Sequence, residues 1–160
     1  MSNSRNTFGN TVTRLPDREE DDDGRRMSPP GLGSPDAARL APAGLRAFAR
    51  IASLWGLSID EQLTLLGAPP RSTFFAWRKT PERANLSRDT LERISNILGI
   101  YKALQILFPD PAVADAWVRK PNAALVMGGR SALEHMLAGN LSDLNRVRRY
   151  LDAVRGSGWG

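Results

Sequence analysis

Residues 67–79 read GAPPRSTFFAWRK. The glycine follows a short segment, 58–66, in which Ile59, Leu63 and Leu66 recur at three- and four-residue steps, the spacing of one helix face. Ser58 and Glu61 stand three apart, so they can form a capping box that starts this helix, and Gly67 stops it. Pro69 and Pro70 suit the first turn of the next helix, where a missing N–H costs nothing. At about 100° per residue, Arg71, Phe75, Arg78 and Lys79 share one arc of that helix, with Ser72 at its margin. Thr73 and Trp77 point the other way, flanked by Phe74. A short helix, a glycine turn and a cationic second helix make the layout of a helix-turn-helix, whose second helix enters the DNA major groove.

On that reading Arg71, Ser72, Phe75, Arg78 and Lys79 are the candidate DNA contacts. Arginine reads guanine bidentately, serine and lysine hold phosphate, and phenylalanine touches a thymine methyl. The bland alternative is a solvated cationic face. The coincidence of glycine, turn and basic helix favours DNA, and modules of this kind bind two-fold sites as homodimers.

Outward from this unit the chain is predicted to be all-α. Leu45, Phe48, Ile51, Ala52 and Trp55 line one face of a helix over about 42–55, closed by Gly56. Ser87 caps a longer helix over about 88–108, with Leu91, Ile94, Leu98, Tyr101 and Leu104 as its expected buried face. Gly99 lies inside that pattern, and a glycine costs about 1 kcal/mol in a helix relative to alanine, so a break or bend is expected there. Three further helices are expected over about 111–118, 131–137 and 142–154, separated by Lys120-Pro121-Asn122, Gly128-Gly129 and Gly139-Asn140. The division that follows is a disordered tail over 1–35, a helix-turn-helix unit over 36–99 and a helical unit over 100–160.

The 160 residues carry a net charge of +5, unevenly spread. Residues 1–35 hold five arginines and six acids, including the run from Glu19 to Asp23, which leaves 17 basic and 11 acidic residues for the remainder. A basic folded part favours phosphate contact through counterion release. Cysteine is absent, which excludes disulfides, thiolate metal sites and a cysteine nucleophile. No apolar run approaches the ~18 residues that span a bilayer, and a soluble, cytoplasmic protein is expected.

Catalysis is not expected. His135 is the single histidine, which argues against histidine metal clusters and histidine-based triads; a surface or half-buried position is the default for it. The stretch Gly128-Gly129-Arg130-Ser131 lacks the lysine and preceding strand of a phosphate loop, and Ser131 as a helix cap is the plainer account. No metal and no cofactor are expected.

Four separated blocks carry a resemblance. LERISNILGIYKALQILF over 91–108, WVRKPN over 117–122, GGRSALEHML over 128–137 and VRRYLDAVRG over 147–156 stand in this order, and together the chain from about 42 to 160 resembles the Xre/MbcA/ParS antitoxin family. Ala132 departs from that pattern, since the family often has proline there. The resemblance implies an Xre-like helix-turn-helix that binds the operon's own operator, and a C-terminal helical domain that blocks a RES-domain toxin, an NAD-consuming enzyme. It implies that Trp117, Pro121, Asn122, Gly128, Gly129 and Arg130 form a structural signature. The last helix and tail, with Arg148, Arg149, Asp152, Arg155, Gly156 and Trp159, would then reach the toxin. Read without the resemblance, Arg148 and Asp152 are more simply an intrahelical pair. Two other readings remain: a stand-alone helix-turn-helix regulator with a helical oligomerisation domain, and a protein-binding helical module whose basic face is incidental.

Overall fold

The computed structural model describes residues 35–156, with side chains from Arg39 onward. The acidic run near residue 20, the expected tail up to residue 34, and Trp159 lie outside the described residues. Seven α-helices follow in order: α1 Pro35–Leu54, α2 Ile59–Leu65, α3 Arg71–Lys79, α4 Arg88–Leu107, α5 Pro111–Trp117, α6 Ala132–Met136 and α7 Leu141–Gly156. A 3-10 turn, Pro81–Arg83, joins α3 to α4, and a lone bridge pairs Pro121 with Ser131. The all-α expectation holds.

The expected face of α1 is buried along its length: Leu45, Phe48, Ile51, Ala52 and Trp55 all enter the core. This helix begins earlier than its proline suggests, so Pro42 lies inside it. Proline there forfeits one helical hydrogen bond, while Ala41 in the same turn is buried against the core. Ser58 and Glu61 form the capping box of α2, with Ser58 Oγ accepting from Glu61 N–H at 3.1 Å and Glu61 Oε2 accepting from Ser58 N–H at 3.0 Å. On α2 the deepest residues are Gln62 and Leu65 together with Leu66, while Ile59 and Leu63 are half-buried. Gln62 is tolerated inside because its Nε2 donates to Leu57 O at 3.1 Å.

The central element is α4, which packs against α1, α5 and α7. It runs unbroken through Gly99, so the break expected there is absent. Its buried residues also differ from expectation. Ile97, Ile100 and Ala103 are fully buried beside Ile94 and Leu104, whereas Leu91, Leu98 and Tyr101 are half-buried. A helix covered on several sides has no single apolar stripe, and reading one stripe missed the others. Thr90, Arg93 and Asn96 are buried too, each tied to a carbonyl: Leu66 O at 3.3 Å, Gly139 O at 2.9 Å and Glu92 O at 3.0 Å.

Residues 118–131 form a closed loop. Asn122 N–H donates to Arg130 O, and Gly129 N–H donates to Asn122 O. Met127 is carried to the interior, where its carbonyl accepts from His135 Nε2 at 2.7 Å. His135 is therefore a buried structural donor, not the surface or half-buried residue expected. Ser131 and Glu134 form a second capping box at α6. Trp117 is half-buried beside Phe108, Tyr150 and Val154 and packs against the core, while Val113 is exposed.

Candidate DNA and partner interface

The turn before α3 is built by Gly67 and Ala68, both at positive φ (91° and 57°). Ala68 N–H donates to Leu63 O and Gly67 N–H to Thr64 O, the paired bonds that end a helix in a left-handed cap. A Cβ on Gly67 would stand 2.8 Å from Asp89 Oδ2 and 3.1 Å from Arg93 Nε. The turn thus lies flush on the Asp89–Arg93 ion pair of α4, whose Oδ2 and Nε are 2.7 Å apart. That contact fixes how α3 leaves the bundle.

Within α3, Phe74 and Trp77 are buried, and Thr73 is half-buried. Arg71, Ser72, Phe75, Arg78 and Lys79 are all exposed. Phe75 is 45% exposed, a large apolar ring held in water beside three cations. Its edge meets Phe74, with ring centroids 5.3 Å apart, and Arg78 lies over the Phe74 ring at 5.7 Å. The five candidate contacts therefore share one solvent face. Arg71 carries a partner the sequence did not announce: its Nη1 donates to Asp60 Oδ1 at 2.7 Å, with both side chains mostly exposed. Asp60 is in the first turn of α2, remote in the periodicity that singled out Arg71.

The candidate partner residues of α7 do not behave alike. Arg148 lies over Gly99, where a Cβ would stand 2.7 Å from its Cζ. Its Nη1 donates to Ser95 O at 3.4 Å and its Nε stands 3.8 Å from Asp152 Oδ2. Arg148 thus lies on the α4 side of the helix, while Asp152 beside it is exposed. Arg149 turns the other way, into a cleft of about 550 Å³ shared with Val126, Ser142, Asn145, Arg146 and Tyr150. Arg155 and Gly156 are exposed in the last turn.

Two further arginines join segments far apart in sequence. Arg119, just past α5, donates from Nε to Trp55 O at 3.0 Å and from Nη2 to Gly56 O at 2.8 Å and Glu61 Oε2 at 2.9 Å. It satisfies carbonyls at the end of α1 and the acid that caps α2. Arg93 bonds Gly139 in the loop before α7. A lone arginine after a helix gives no sequence signal for such a role, because its partners lie some sixty positions away.

Comparison with known proteins agrees with this geometry. Residues 34–99 match the family model described as the antitoxin Xre-like helix-turn-helix domain. Residues 103–156 match that of the antitoxin Xre/MbcA/ParS C-terminal toxin-binding domain. The chain belongs to the Xre/MbcA/ParS antitoxin family. It is also similar to a protein of Sinorhizobium fredii, named only as uncharacterized protein y4oB, at 54% identity over 123 residues, which is 77% of this chain and 92% of that one. As an Xre/MbcA/ParS antitoxin it pairs a DNA-binding helix-turn-helix with a toxin-binding segment, and DNA and a toxin are the partners that this pairing implies. The two matched segments adjoin inside α4, between residues 99 and 103. Among the described residues no helix is long and apolar enough to cross a membrane, and no group of three or more potential ligands is placed to hold a metal.

Proposed function

We propose that this antitoxin blocks a RES-domain, NAD-consuming toxin and represses its own operon as a homodimer in the cytoplasm. On this reading α3 enters the major groove with Arg71, Ser72, Phe75, Arg78 and Lys79, while α7 and the tail, from Arg148 and Arg149 through Asp152, Arg155 and Gly156 to Trp159, face the toxin. The units at 36–99 and 100–160 divide the two tasks, with residues 1–35 as an accessory tail. The single observation that carries the DNA half is the split of α3: Phe74 and Trp77 are buried and hold the helix, and all five candidate contacts remain exposed. An apolar ring left in solvent among cations costs hydrophobic free energy, and a thymine methyl or sugar edge in the groove recovers it.

The test uses the full chain, the DNA upstream of its gene and the protein encoded beside it. Specific binding to the upstream DNA that weakens steeply with salt, together with suppression of NAD loss by the neighbouring protein, supports the reading. A chain that binds its upstream DNA and no neighbouring protein is the stand-alone regulator instead. A chain that binds no upstream DNA at low salt removes the repression claim.

A further inference from the structure

Among the described residues, nothing covers the face of α7 turned away from α4. Ser142, Arg146, Arg149, Ala153 and Gly156 fall at i, i+4, i+7, i+11 and i+14 and are all exposed, so they make one continuous stripe. At its start the stripe opens into the cleft bounded by Val126, Asn145 and Tyr150. Next to Val126 stands Leu125, which is 101% exposed. Its whole side chain is open to a partner, and burying a leucine contributes about 1.5–3 kcal/mol. The loop itself is closed by the Asn122–Arg130 and Gly129–Asn122 backbone bonds, and Asn122 Oδ1 accepts from Ala124 N–H at 2.8 Å, so Leu125 is presented on a braced turn.

Charge points to the kind of surface that fits. Two guanidiniums, Arg146 and Arg149, line the cleft, and among the described residues no acid does. Asp143 on the same helix is half-buried and occupied, accepting from Asn140 N–H. Arg148, by contrast, is spent on Gly99, Ser95 and Asp152 on the opposite side.

We infer that the toxin docks on this outer stripe: an apolar pocket of the toxin takes Leu125, and carboxylates beside it meet Arg146 and Arg149 in the cleft. Of the α7 residues proposed above to face the toxin, Arg149 then makes the contact, and Arg148 serves instead to hold the helix on α4. Arginine forks match carboxylates in pairs, and the small side of Ala153 and Gly156 lets the partner follow the helix down to the chain end. The inference rests on the toxin-binding reading above and narrows it to one face.

The experiment measures binding of the full chain to the protein encoded beside it, and separately to the upstream DNA. L125S and R149E each weaken the protein complex by about tenfold or more, as loss of an interface anchor does. L125S leaves DNA affinity and melting temperature as they were, which shows that the variant is folded. If both variants bind the neighbouring protein within about twofold of the parent chain, the stripe is not the docking face and this inference fails alone. If L125S weakens DNA and protein binding equally, the loop is structural and the inference also fails. Absence of binding by the parent chain overturns the toxin reading itself and the inference with it.

Discussion

Gly99 of α4 and Arg148 of α7 share one place: the guanidinium lies where a Gly99 side chain would be, with Cζ 2.7 Å from an added Cβ. The glycine that looks like a helix breaker in the sequence is thus a seat for a cation from another helix. Alanine at 99 gains about 1 kcal/mol of helix propensity and evicts Arg148 from Ser95 and Asp152. The two effects oppose each other, so G99A alone changes stability little. In an Arg148→Ala background nothing is evicted, and G99A stabilises by about 1 kcal/mol. Chemical denaturation of the four chains of this cycle checks the coupling; strict additivity would contradict it.

Gly67 offers no such compensation. Its φ of 91° disfavours any side chain, and a Cβ there meets the Asp89–Arg93 pair. G67A is expected to destabilise by about 1–3 kcal/mol, measured by urea unfolding, and to weaken DNA binding through the displaced entry of α3.

Arg119 acts through the fork of its guanidinium. Three acceptors from two elements converge on it, and a lysine ammonium on a flexible stem does not span them in one geometry. Both Arg119→Ala and Arg119→Lys are expected to lower stability, by about 1–2 kcal/mol, since the site is half-exposed and part of the loss is regained from water. Full rescue by lysine would show that charge alone matters.

On α3, Lys79→Ala removes a candidate phosphate contact. Binding to the upstream DNA should fall, and the slope of log K against log salt should lessen by about 0.9. Phe75→Ala should weaken specific binding with little change in that slope. Lys79 is exposed, so the thermal midpoint of its variant should match the parent, whereas Phe75→Ala also loses the edge contact with Phe74 and should cost about 0.5–1.5 kcal/mol of stability.

The helix-turn-helix was legible because every part of it is local. A capping box, a stop glycine and a short amphipathic helix declare themselves within a few residues, and Phe74 and Trp77 lie where the wheel puts them. The buried side of α4 was not legible, since it is set by three neighbouring helices at once. Nor was the reach of Arg93, Arg119 and Arg148 to distant backbone carbonyls, which carry no residue identity to read. On the partner side the four-residue spacing of Arg148 and Asp152 announced their intrahelical pairing, but not the reach of Arg148 to Ser95 on α4, and Leu125 sits in a loop with no periodicity to mark it.

The unbroken α4 has a consequence for turnover. The segments matched to DNA binding and to toxin binding each take one end of this single rod, and Ile97, Ile100 and Leu104 bury its middle. A protease that opens the rod there exposes the shared interior and strips both capacities in one cut. The cell then loses DNA binding and toxin binding together, so whatever each of them controls would change on one clock.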